Sequence, residues 1–144
     1  MKKVTFLVSL FFATVLSVNA QEWMTDLEEA KKVATEQNLK ILVSFQGSDW
    51  CAPCIKLDKE ILSSDAFITY ATDHFVMVKA DFPRRKKNKL SDTQQEKNNQ
   101  LAEKYNQQGH FPLVVMLDKN GAKLGSTGYK KISPAAYSAL LSSF

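Results

Sequence analysis

The chain has 144 residues, 44% of them hydrophobic and 24% charged, enough for one domain with a core and too few for two. Its net charge of +4 includes Lys2 and Lys3, and the +2 left without them is too mild to imply nucleic acid. Cys51 and Cys54 are the only cysteines, three positions apart. They close too small a loop to staple a fold and supply half of a four-sulfur metal site.

Lys2 and Lys3 precede an apolar run from Val4 to Val18, which ends at Val18-Asn19-Ala20 before the polar Gln21-Glu22. A positive start, a short apolar segment and small residues at the third-last and last positions describe a secretory signal peptide. The run falls short of the roughly 20 residues of a membrane-spanning helix, so an uncleaved anchor is the weaker alternative. The expectation is a signal peptide over 1–20, cleaved near Ala20, and a domain over 21–144. Its place of action is then the periplasm or the extracellular space, where disulfides persist.

Thr25-Asp26-Leu27-Glu28 reads as a capping box, followed by a helix with Leu27, Ala30, Val33 and Ala34 on one face and Asn38 as its stop. Lys40–Phe45 is a short branched apolar run, as expected of a strand covered on both sides. After the loop Gln46–Asp49, the motif Trp50-Cys51-Ala52-Pro53-Cys54 opens a helix expected to reach about Tyr70. Its apolar positions are Ile55, Leu57, Ile61, Leu62, Phe67 and Ile68. Pro53 fits the first turn, where no intrahelical hydrogen bond is lost.

Phe75–Ala80 is a second strand, and Arg84-Arg85-Lys86-Lys87-Asn88-Lys89 a basic loop. Ser91-x-x-Gln94 caps a helix through Leu101, Ala102 and Tyr105 that ends before Gly109. Pro112–Leu117 is a third strand. Asp118-Lys119-Asn120-Gly121 turns a hairpin, with Asn-Gly supplying positive φ angles, and Ala122–Ser126 returns as the fourth strand. Ser133-Pro134 starts a last helix that buries Tyr137, Leu140 and Leu141. Strands alternating with helices and closing on a hairpin describe one α/β domain, a mixed four-stranded sheet with helices on both faces.

A thiolate attacks disulfides and a thiol does not. Cys51 at a helix start meets unpaired backbone N–H groups, which stabilise its anion and make it the attacking sulfur. Cys54, one turn on and expected to be more buried, resolves the mixed disulfide. The redox-active disulfide itself is then the reacting group, and no further cofactor or metal is expected.

With this element order, the Trp50–Cys54 motif after an apolar strand, and Phe111-Pro112 before the third strand, residues 22–144 resemble the thioredoxin superfamily. They are most similar to exported bacterial members that carry Trp-Cys-x-x-Cys after a short, additional N-terminal helix. The resemblance implies a thioredoxin-like fold, a cis bond before Pro112, and protein disulfides or dithiols as substrates. It implies a substrate groove supported by Trp50, Ala52, Pro53, Phe111 and Pro112, where an extended segment pairs with the backbone at Phe111. Trp50 as a shield of the disulfide and Trp50 as an ordinary core residue are both open readings, and so is a plain trans proline at 112.

The family's buried acid before the motif is missing, and Ser44 stands at the nearest matching position. Lys79 matches a position often charged in the family and is a proton-relay candidate, or simply a solvated strand-end lysine. The basic insertion from Arg84 to Lys97 is a second departure, and its run Arg84–Lys89 reads as a solvated loop, or as a dock for an acidic partner or anionic lipid.

Ala-Pro between the cysteines resembles the Gly-Pro of reducing thioredoxins, which favours a reductase. Such an enzyme outside the cytoplasm needs an electron-transfer partner, membrane-bound or periplasmic, with its own cysteine pair. Two rivals remain: a copper-handling protein using Cys51, Cys54 and His110, and a binding or chaperone module in which catalysis is secondary. His74 is read as a cap or a solvated residue.

Overall fold

The computed structural model describes residues 22–144; the signal-peptide reading of 1–20 lies outside them. Helix α1 (Leu27–Gln37) is followed by strand β1 (Lys40–Gln46), helix α2 (Ala52–Leu57), a π-helical turn (Asp58–Leu62) and helix α3 (Asp65–His74). Strand β2 (Phe75–Asp81), a 3-10 turn (Lys86–Asn88), helix α4 (Asp92–Tyr105), strands β3 (Leu113–Leu117) and β4 (Lys123–Thr127) and helix α5 (Pro134–Ser142) complete the order. The mixed four-stranded sheet expected from the sequence is present, in the order β2-β1-β3-β4. Strand β1 runs parallel to β2 and antiparallel to β3, which is antiparallel to β4. Met24 adds a single parallel bridge to Val78 at the β2 edge.

Alternation along the central strands sends side chains into two cores, one on each face. Ile41, Val43 and Phe45 of β1 pack with Ala30, Ala34, Leu101 and Tyr105 beneath α1 and α4. Leu42 packs on the other face with Leu57, Ile61, Phe67, Met116, Tyr137 and Leu141 beneath α2, α3 and α5. Both β1 neighbours are strands and both its faces are covered. That is why its apolar run is nearly continuous.

Caps end the helices where the sequence places them, with one shift. Asp26, not Thr25, caps α1, its Oδ1 accepting from the N–H groups of Glu28 and Glu29. Asn38 ends that helix in the left-handed region, at φ 54°. Ser91 accepts from Gln94 N–H at 3.1 Å and Ser133 from Ala136 N–H at 3.2 Å.

The long helix expected from Cys51 to Tyr70 is broken instead. It widens into the π turn and stops at Ser63, and Ser64 caps α3 by accepting from Phe67 N–H. The apolar spacing runs across this break, but Ser-Ser-Asp is start chemistry, and the local caps prevail. The hairpin differs too. Gly121 alone of the Asn120-Gly121 pair has positive φ, 89°. Asp118 instead organises the turn, its Oδ1 accepting from Asn120 and Ala122 N–H at 2.9 Å each. Among the described residues no helix is long and apolar enough to cross a membrane.

Candidate redox site

Strand β1 ends at Gln46, and a tight turn carries the chain into the motif: Gly47 O accepts from Trp50 N–H at 3.3 Å and Cys51 N–H at 2.9 Å. Cys51 is the N-cap of α2, in extended conformation, and Pro53 sits in the first turn as expected. Cys51 and Cys54 form a disulfide, with Cα atoms 5.2 Å apart. Cys54 N–H donates to Cys51 Sγ at 3.3 Å, so the sulfur itself serves as the helix cap. A thiolate at Cys51 would keep this donor, one of those a helix start leaves unpaired. The expected contrast in burial is absent: Cys51 is 4% exposed and Cys54 3%. The cap position, not exposure, distinguishes the two sulfurs. Ala52 is exposed at the first position of α2, and Ile55, expected among the core positions, is 47% exposed one residue past the motif.

Trp50 is the junction of the site. Its indole Nε1–H donates to Phe82 O at 2.7 Å, and its ring meets Phe111 edge-on at 5.6 Å. The Arg84 guanidinium lies 3.7 Å from the ring centroid. Gly47 is required beneath it, because a Cβ there would lie 2.2 Å from Trp50 Cε2. Phe82 in turn packs edge-on against Phe111 at 5.4 Å. Trp50 thereby links the motif to the loop after β2 and to the segment before β3. Both sequence readings of Trp50 treated it singly and missed this linkage.

The Phe111-Pro112 bond is cis, as the resemblance implies, and Pro112 is buried. Its approach is held by Asn106, whose Nδ2 donates to His110 O and whose Oδ1 accepts from His110 N–H, both at 2.9 Å. His110 is exposed. Among the described residues no three His, Cys, Asp or Glu side chains come together in a way that could hold a metal ion. Cys51 and Cys54 are joined to each other in the disulfide, and with His110 they form no such group. His74 is exposed at the end of α3, its ring stacked 3.8 Å from that of Tyr70 and its Nδ1 2.7 Å from Tyr70 O.

Ser44 and Lys79 face each other across β1 and β2, on the sheet face that carries α2. Ser44 is 1% exposed and its Oγ has no hydrogen-bond partner. Lys79 is half-buried with Nζ 4.9 Å from the Trp23 ring centroid, so it is not a freely solvated lysine.

Asp49 was not singled out by the sequence, yet it fixes the basic loop against the motif. Its Oδ1 accepts from Arg84 N–H at 3.0 Å, and its Oδ2 from Arg85 N–H at 3.0 Å and Asn88 Nδ2 at 2.9 Å. The Arg84 backbone donor, then the Asn88 amide, hold its carboxyl below the ordinary 3.8. An acid 35 positions before a basic run is a charge signal of sorts, but two of its three partners here are backbone donors, which no side-chain pattern encodes. Asp81 ties the same region from the other side, accepting from Ser48 N–H at 2.9 Å and from its hydroxyl at 2.5 Å.

Residues 22–119 match the family described as thioredoxin-like. The chain is 38% identical over 109 residues to disulfide bond reductase DsbH of Chlamydia pneumoniae, covering 76% of this chain and 64% of that protein. It is 36% identical over 83 residues to the thioredoxin-related protein DsbJ of the same organism, covering 54% and 24%. The matched stretch thus spans less than two thirds of either relative's length. A solved structure described as DsbH oxidoreductase superposes with a TM-score of 0.79 at 31% identity, over 94% of this chain and 91% of that one.

Proposed function

Because the chain belongs to the thioredoxin-like family, we propose that it is a thiol–disulfide oxidoreductase that reduces disulfides in other proteins. The observation that carries this reading is the disulfide across the first turn of α2, with Cys51 Sγ accepting the Cys54 N–H. In the reduced protein, the Cys51 thiolate attacks one sulfur of a substrate disulfide. A mixed disulfide forms and one substrate thiolate leaves, taking up a proton. Cys54 then loses its proton and attacks Cys51 Sγ, the second substrate thiolate leaves, and the Cys51–Cys54 disulfide remains. Two electrons have passed to the substrate.

Trp50, Ala52, Pro53, Phe111 and Pro112 line the approach in this reading, with an extended segment of substrate lying along Phe111. Lys79 relays or stabilises charge on the sheet face beneath α2, where Ser44 replaces an acid. The disulfide is the whole reacting group, with no cofactor or metal.

The reducing direction rests on the Ala-Pro dipeptide and on the name of the relative from Chlamydia pneumoniae, disulfide bond reductase. A reductase must be recharged, so the partner is an electron-transfer protein with its own cysteine pair. The signal-like residues 1–20 support action in the periplasm or outside the cell.

The test is a trapping experiment together with a redox titration. Cys54→Ser should accumulate a mixed disulfide with a protein substrate, while Cys51→Ser should form none. Equilibration with glutathione should place the pair near the thioredoxin value of about −270 mV, not near the about −120 mV of a strong oxidant. Trapping through Cys54, or a potential near the oxidant value, would refute the assignment of roles or of direction respectively.

A further inference from the structure

The proposed exchange reaction leaves the basic loop without a role, yet the loop is neither free nor distant. Residues 84–89 are all exposed, and five of the six are cationic. Their backbone is fixed by the Asp49 carboxylate, which takes two consecutive backbone N–H groups and the Asn88 amide. A 3-10 turn, with Asn88 N–H donating to Arg85 O at 2.9 Å, holds the segment in shape. Among the described residues Lys89 alone of the five cations makes an ion pair, to Asp92 at 3.3 Å. Arg84 is spent on the Trp50 ring, and Arg85, Lys86 and Lys87 have no carboxylate within ion-pair distance.

We propose that this loop docks an acidic polypeptide segment of the protein whose cysteines react with Cys51. The proposal rests on the exchange reading and adds to it the charge of the partner. Three observations carry it. The cations are clustered and exposed, and five of them stand against the two carboxylates Asp49 and Asp92, so a net positive field extends into solvent. The loop is anchored on the residue adjacent to Cys51, since Arg84 covers Trp50 and Trp50 meets Phe111. A segment held on the loop is therefore delivered beside the reacting sulfur, and the gain is chiefly in encounter rate.

A membrane surface fits less well. Arg-Arg-Lys-Lys-Asn-Lys has no apolar side chain to enter the headgroup region, and a bilayer on this loop would cover the approach to Cys51. A nucleic-acid strand would want interleaved aromatics within the run, and there are none.

The experiment compares two peptides of equal length, each with one disulfide, flanked by glutamates in one and lysines in the other. The reduced full chain is mixed with each, and its oxidation is followed by tryptophan fluorescence. The acidic peptide should react faster by about tenfold at low salt, and the ratio should fall towards one at about 0.5 M salt. The triple substitution Arg85→Glu, Lys86→Glu, Lys87→Glu should invert the ratio. Because the ratio is read within one protein, a change in overall activity does not enter it. A ratio near one at low salt, or one unchanged by the triple substitution, overturns the proposal. So does a ratio near one accompanied by sedimentation with phosphatidylserine vesicles that the triple substitution abolishes, which assigns the loop to lipid.

Failure of the exchange reading shows separately, as absence of oxidation by either peptide and by the neutral 2-hydroxyethyl disulfide. In that event, a fluorescent cysteine-free glutamate peptide titrated against the oxidised protein decides the docking. Salt-sensitive binding lost in the triple variant supports it, and no binding overturns it.

Discussion

Gly47→Ala adds one methyl group to the turn between β1 and α2, and that methyl would stand 2.2 Å from Trp50 Cε2 and 2.4 Å from Nε1. Gly47 is not among the residues with positive φ, so alanine is opposed there by contact and not by its backbone angles. The turn is anchored by Cys51 N–H donating to Gly47 O at 2.9 Å, so the indole is the part that moves. A displaced indole loses its hydrogen bond to Phe82 O, worth about 1 kcal/mol. It also loses the edge-on contact with Phe111, about 0.5–1.5 kcal/mol, and the Arg84 cation over its face, about 0.5–1 kcal/mol at such an exposed site. The expected destabilisation is about 2–3.5 kcal/mol in all, a fall in urea midpoint on the order of 1–2 M. Urea unfolding of the oxidised protein, followed by tryptophan fluorescence, gives the number directly. The exchange rate should fall with it, because Phe111 and the 84–89 loop lose their common support. A loss under about 0.5 kcal/mol with unchanged fluorescence would refute the claim that Trp50 is held by this contact.

Other substitutions address the remaining features. Ser44→Ala removes a buried hydroxyl without a partner and should stabilise the protein by about 1 kcal/mol in the same urea assay; a loss instead would mean that the hydroxyl is bonded. Lys79→Met keeps the stem and removes the charge, so the exchange rate should reach half its maximum at a higher pH; an unmoved profile excludes Lys79 from the chemistry. Asp26→Asn keeps a capping oxygen on α1 but loses the carboxylate, which Lys97 and the Glu29 N–H hold below the ordinary 3.8. A depressed carboxyl contributes stability above 3.8 that is lost as pH falls through the folded value, so the variant should show a shallower loss of stability below about pH 4. Acid unfolding curves that superpose for the two proteins would contradict this.

Continuous apolar runs, cap residues and the Cys51–Cys54 spacing are local features, and each determines a local outcome. The four strands, the helix stop at Asn38, the helix start at Ser91, and the proline in the first turn of α2 were legible because the physics that makes them acts within a few residues. Family resemblance supplied the cis bond before Pro112, which no local pattern in the chain encodes.

Tertiary structure decided the rest, because the interactions involved join distant residues or choose between competing local signals. The apolar spacing through Cys54–Ile68 admitted one long helix, and the Ser64 cap with the π turn made it two. Ile55 has the spacing of a core residue, but its face of α2 meets no sheet and stays exposed. The largest gap lay between Asp49 and Arg84: sequence showed a loop acid and a cationic run, each readable as solvated surface. Folding places β2 beside β1 in parallel, so the chain leaves both strands at the same end of the sheet and the two loops meet over Trp50. Sequence alone determined that this protein carries a reactive cysteine pair at a helix start. Only the packing of parallel strands decided that a fixed, positively charged loop stands beside it.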